Sequence, residues 1–99
     1  HSALDVRDTD HVVTKNRVSP FYGTDLEEFL QSQKVDSVYL CGVATDLVVE
    51  SAARDAHDRD FQVYVLSDCC AAANNKDHDA ALVTMGKIAT VDSYKTLLL

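Results

Sequence analysis

The sequence predicts an α/β chain built on a parallel β-sheet with helices on both faces. Three observations carry this expectation. Apolar or β-branched runs of four to nine residues alternate with segments of roughly 3.6-residue apolar periodicity along the chain. "VDSVYLCGV", residues 35–43, is apolar nearly throughout, as a strand covered on both faces should be. Only three glycines and one proline interrupt a chain that is 46% hydrophobic, which is the composition of a compact domain rather than a linker. Strands alternating with helices of this length are joined by right-handed crossovers, and such crossovers make the sheet parallel.

"HVVTK", residues 11–15, reads as a short β-branched strand, and "SPFYG" after it as a turn marked by Pro20 and Gly23. "TDLEEFLQSQ" then predicts a helix to about Gln33, with Thr24 and Glu27 as a capping box and Leu26, Phe29 and Leu30 on its apolar face. The strand at 35–43 follows. "ATDLVVESAARDAHDRD" predicts the central helix, with Thr45 as N-cap and Val48, Ala52 and Ala56 on one face. "FQVYVLSD" (61–68) reads as a strand, "DHDAALVTMGK" (77–87) as a helix and "IATV" (88–91) as a last strand. The expected order is βαβαβαβ. At 99 residues the chain is one domain or less, with a modest core.

Nine Lys plus Arg against sixteen Asp plus Glu leave a net charge of −7 with no basic stripe, which excludes nucleic acid as an expected partner. No apolar stretch approaches the ~20 residues needed to cross a bilayer, so neither membrane insertion nor a signal peptide is expected. A cytoplasmic protein is the expectation. Cys41, Cys69 and Cys70 are an odd count without C-x-x-C spacing, against a disulfide framework or a zinc site, and are expected to be reduced, mostly buried packing residues. His11, His57 and His78 sit among carboxylates and are expected to meet water, so no metal and no cofactor are anticipated. The chain opens at His1 without a methionine, as a processed product or the tail of a longer chain would.

In parallel α/β sheets ligands sit beyond the carboxyl ends of the strands, which directs attention to "KNRVSPFYGT", "GVATD" and "SDCCAAANN". "GVATD" leads from a strand into a helix start whose free backbone N–H groups would suit an anion; it is equally the sequence of an ordinary strand-to-helix turn. Lys15 ends a strand on the same edge, so its ammonium is either a stabiliser of negative charge at that helix start or a solvated surface group. Three scattered glycines spell neither phosphate-binding loop.

Residues 11–92 resemble the C-terminal half of the isochorismatase-like hydrolase superfamily, which includes nicotinamidases, other cysteine hydrolases and isochorismatases. The motifs are the lysine before an "S-x-F-x-x-T-x-L" helix start, the "GVATD" turn, the "A-R-D-A-x-D-R" helix and a "V-x-x-x-D" strand end. The resemblance implies a three-layer, Rossmann-like sheet, with residues 1–99 as the C-terminal portion of a single domain whose N-terminal strands this chain does not contain. Those strands would lie between the Lys15 strand and the "VYLCGV" strand. It implies a small-molecule substrate and a homo-oligomer, or an N-terminal segment completing the sheet.

In that family an Asp, a Lys and a Cys cooperate in nucleophilic attack on a carbonyl, a cis peptide precedes the nucleophile, and backbone N–H groups form an oxyanion hole. Carried onto this chain, the lysine is Lys15, the cis peptide falls between Val43 and Ala44, and the oxyanion amides fall on Ala44 and Val48. The cysteine of the family pattern is replaced by Val48, which has no nucleophilic atom, and covalent thiol catalysis there is impossible. No aspartate here fills the catalytic Asp slot: Asp8 and Asp10 precede the lysine, and Asp46 and Asp68 match structural positions. Two functions therefore stay open. One is a hydrolase that cleaves a C–N or ether-type bond without a thiol, as isochorismatases cleave a vinyl ether by attack of water; the other is an inactive binding or assembly module.

Overall fold

The computed structural model describes residues 5–99. Helix α1 spans Leu26–Ser32, strand β1 Ser37–Val43, helix α2 Glu50–Asp58, strand β2 Gln62–Ala71, helix α3 Asn75–Met85, strand β3 Thr90–Asp92 and helix α4 Tyr94–Leu98. A π turn, Thr45–Val49, leads into α2. The three strands form one parallel sheet in the order β1-β2-β3. The chain is α/β, as expected. No helix among the described residues is long and apolar enough to cross a membrane.

Consecutive strand order has a geometric consequence. Successive right-handed crossovers that step the same way across a sheet place their helices on the same side, and α2 and α3 indeed pack against each other as well as on the sheet. The core lies beneath them: Val49, Ala53 and Ala56, Val63 and Val65 of β2, and Ala81 and Met85 of α3, with Phe21 and Phe61 at one end. Small residues at Ala53 and Ala56, both 0% exposed, let α2 approach the sheet closely.

That geometry alters the reading of residues 35–43. Val38 and Leu40 turn toward the core, while Tyr39, Cys41 and Val43 are exposed, with the Tyr39 ring stacked on Tyr64 at 4.6 Å. Strand alternation, not coverage on both faces, describes β1 among the described residues. Residues 11–15 are not a strand, contrary to expectation. β-branched residues favour an extended chain, but a strand exists only when its N–H and C=O groups meet a partner, and 11–15 pairs with none of the three strands.

Smaller differences have local causes. The α1 capping box does not form: the Thr24 hydroxyl accepts the Leu26 amide and donates to the Pro20 carbonyl. Glu27, freed from the cap, receives Arg59 Nε at 2.9 Å instead. Both α1 and α2 end in paired hydrogen bonds of the Schellman kind, Val35 N to Leu30 O with Lys34 N to Gln31 O, and Phe61 N to Ala56 O with Asp60 N to His57 O. The left-handed residues in these caps are Lys34 and Asp60, not glycine. Strand β2 continues to Ala71, past the end expected at Asp68, because its pairing to β1 slips between Leu40/Val65 and Gly42/Cys70 and then resumes.

Candidate functional site

The carboxyl end of β1 organises the site. Gly42 has φ 135°, a conformation that side chains oppose, and it stands where the pairing to β2 resumes after its slip. The Val43–Ala44 peptide is cis. Ala44 is extended, and its carbonyl accepts the amides of Leu47 and Val49, each at 3.2 Å. The Val49 bond spans five residues instead of four, which makes this opening turn wider than an α-helical one.

One extra residue in the turn shifts the helix phase. Val49, not Val48, drops into the core at 2% exposure, followed by Ala52, Ala53 and Ala56. The face expected from Val48, Ala52 and Ala56 is thereby corrected at its first member, and Val48 is left half-buried beside Leu47 at the surface. Thr45 is likewise not the N-cap; Ala44 holds that position without a side-chain cap. The Thr45 side chain is fully buried and its hydroxyl lies 2.8 Å from His78 Nδ1 on α3.

Lys15, Asn16, Arg17, Val18, Leu47 and Val48 line one open cleft of about 470 Å³. The two sequence-predicted positions furthest apart in the chain, Lys15 and Val48, thus share a wall. Lys15 Nζ donates to the Arg17 carbonyl at 3.0 Å, which curls the loop around the ammonium. With no strand ladder to hold it, the loop is anchored by side chains. Ser19, 8% exposed, donates to Asp55 and accepts the Phe21 amide. Arg59 pairs with Asp55 at 3.3 Å and Glu27 at 2.9 Å and lies 5.0 Å over the Phe21 ring. This clamp accounts for the serine, phenylalanine, aspartate and arginine of the recognised motifs: they fasten the lysine loop to α2.

The cleft offers two cations and an aliphatic wall, and among its lining residues no nucleophile and no carboxylate; Ala44 is not part of its lining. The cleft suits an oxygen that carries or gains negative charge. A roomier groove of about 620 Å³, lined in part by His57, Gln62, Lys87 and Thr90, lies where β2 and β3 begin, the end opposite to that at which ligands of parallel sheets bind.

The cysteines do not sit as expected: Cys41 and Cys69 are exposed and Cys70 is half-buried, because the outer sheet face and the slipped end of β2 are uncovered among the described residues. None lines the cleft. Burial pushes the Cys70 thiol above its ordinary value against an opposing Gly42 backbone hydrogen bond, and desolvation followed by the Asp68 carboxylate pushes Cys69 up, so both favour the unreactive protonated form. Asp68 accepts the Tyr94 amide at 2.9 Å, and Asp10 accepts the Arg7 amide at 2.9 Å. Of the histidines, His57 and His11 are exposed as expected, His11 stacking on Phe29 at 3.9 Å and bonding Asp25. His78 instead turns inward to Thr45, a partner too far along the chain for the sequence to show.

Residues 1–93 match the family model described as Isochorismatase domain. The uncharacterized isochorismatase family protein YecD of Escherichia coli O157:H7 is 36% identical over 98 residues, covering 98% of this chain and 52% of that protein. The crystal structure of an isochorismatase-like hydrolase from Alkaliphilus metalliredigens superposes with a TM-score of 0.92 at 31% identity, covering 94% of this chain and 51% of that one. A probable inactive nicotinamidase of Arabidopsis thaliana is 34% identical over 80 residues, covering 80% of this chain and 41% of that protein. The chain spans about half the length of the curated relatives it matches. With its parallel sheet and this extent of similarity, the chain belongs to the isochorismatase family.

Proposed function

We propose that these residues are the C-terminal portion of an isochorismatase-family hydrolase that cleaves a small-molecule C–N or ether-type bond without a thiol nucleophile. The observation that supports this reading is the shared cleft, which both Lys15 and Val48 line. For the enol ether, an acidic group outside these residues protonates the terminal alkene carbon, water adds to the oxygen-bearing carbon and returns a proton to that group, and the ether C–O bond then breaks to give a ketone and an alcohol; Lys15 with the amides of Ala44 and Val48 stabilises the departing oxygen. The reading carries with it a cytoplasmic protein, and a homo-oligomer or an N-terminal segment that completes the sheet beyond β1.

The test is turnover of an enol ether, isochorismate, and of an amide, nicotinamide, by the protein that contains this chain. The enol ether is expected to be cleaved and the amide left intact. Lys15→Ala is expected to lower kcat by about 10²–10³, the size of one lost charge-stabilising donor. Equal rates in the two proteins would remove Lys15 from the mechanism.

The second reading, a module that binds without turnover, is favoured by Val48 itself and by the similarity to a relative described as probably inactive. It expects binding of the same compounds without product. Val48→Cys separates the two: rapid alkylation of the new thiol at neutral pH indicates surroundings still organised to stabilise an anion.

A further inference from the structure

The wide turn before α2 is closed by backbone bonds five residues apart, Val49 to Ala44 and Glu50 to Thr45. It begins without a side-chain cap, and the Ala44 carbonyl is shared between two amides. π turns are rare and occur mostly as single turns in α-helices, frequently at functional sites. The one polar side chain in the turn that is fully buried, Thr45, spends its hydroxyl on a residue 33 positions away, His78 Nδ1 at 2.8 Å. His78 belongs to the first turn of α3, which is itself secured by Asn74 accepting the Asp77 amide at 2.8 Å. A hydroxyl with no access to water must keep its partner or lose its hydration uncompensated. The contact therefore ties the turn to a capped helix, two residues before Leu47 and three before Val48 of the cleft wall.

We propose that His78 is a positioning residue for the candidate site: through Thr45 it fixes the π turn so that Val48 and its amide face the lysine loop. The imidazole does not reach the cleft, whose lining excludes it. Its action is through Thr45 alone. The proposal rests on the hydrolase reading only for its catalytic consequence; the tethering of the turn stands apart from it. The hydroxyl serves as donor or acceptor, so either neutral tautomer of His78 sustains the bond.

Amide hydrogen exchange at Leu47 and Val49, with Val65 of β2 as the internal reference, tests it. Thr45→Val keeps the shape and removes the hydroxyl, and His78→Leu removes the partner. Each is expected to speed exchange at Leu47 and Val49 by about tenfold or more, the effect of one lost buried hydrogen bond, with Val65 unchanged. Thr45→Ser and His78→Asn, whose amide can occupy the place of Nδ1, are expected to restore slow exchange. Unchanged exchange at Leu47 and Val49, equal acceleration at Val65, or no rescue by the conservative variants would overturn the proposal. In a protein active on isochorismate, His78→Leu is expected to lower kcat more than it raises KM, and a kcat indifferent to His78 also overturns it. Exchange is read without substrate, so absence of turnover counts against the hydrolase reading and not against the tether.

Discussion

Gly42 shows how a single residue's backbone decides where the site can be. Its φ of 135° belongs to a region that a Cβ penalises, although the nearest side-chain atom, on Val49, is 4.0 Å from where that Cβ would stand. The obstacle is conformational rather than steric crowding, so Gly42→Ala is expected to destabilise the fold by about 1–3 kcal/mol, read as a lowered denaturation midpoint with unchanged slope. Cys70 offers a test by pH. Its folded-state pKa is raised, chiefly by burial, so folding holds the proton more tightly than the unfolded chain does. That contribution is fully present below the unfolded value and is lost as pH rises through the folded one. Between about pH 8 and about pH 10, around the ordinary thiol range, the protein is expected to lose more stability than Cys70→Ala does; parallel losses would show that the thiol is not held protonated. The glycine of the turn was legible in the sequence. The depth of each cysteine was not, because depth depends on which strands and helices cover the sheet.

At the scale of elements, the ends of helices were harder to read than their faces. A Schellman cap is recognised in a sequence by its glycine, and here Lys34 and Asp60 occupy the left-handed positions. A lysine pays the Cβ penalty of that conformation in full, whereas an aspartate tolerates it better. Lys34→Gly is accordingly expected to stabilise the protein by ~0.5–1 kcal/mol, measured by thermal or chemical unfolding; a loss of stability would mean that the lysine side chain makes a contact worth more than the strain. The phase of α2 was misplaced by one residue for a related reason. Apolar periodicity assumes a regular turn, and the five-residue bond from Val49 to Ala44 breaks that assumption at the functional end of the helix.

Across the whole molecule, stability centres on the layer between the sheet and the α2–α3 pair. Met85, at 0% exposure, is the largest fully buried side chain. Met85→Ala is expected to cost about 2–5 kcal/mol, seen in the denaturation midpoint; a cost well under this would mean that the layer collapses onto the gap. The clamp of Ser19, Asp55, Arg59 and Glu27 does for the lysine loop what a strand ladder would otherwise do, and it explains how residues without sheet pairing still deliver Lys15 to the same cleft as Val48. By itself the sequence determined the α/β class, the order of the three strands and the helices between them, the turn after Gly42 and the substitution at Val48. The class, the elements and the turn follow from periodicity and turn chemistry, which act over a few neighbouring residues; the substitution at Val48 is legible only through the family resemblance. Only the tertiary structure decided that residues 11–15 do not form a strand, that Thr45 bonds His78 rather than capping its own helix, and that one face of β1 is exposed. Those outcomes depend on partners more than thirty residues away or on another strand, and a hydrogen bond or a covered surface exists only once such partners have been brought together.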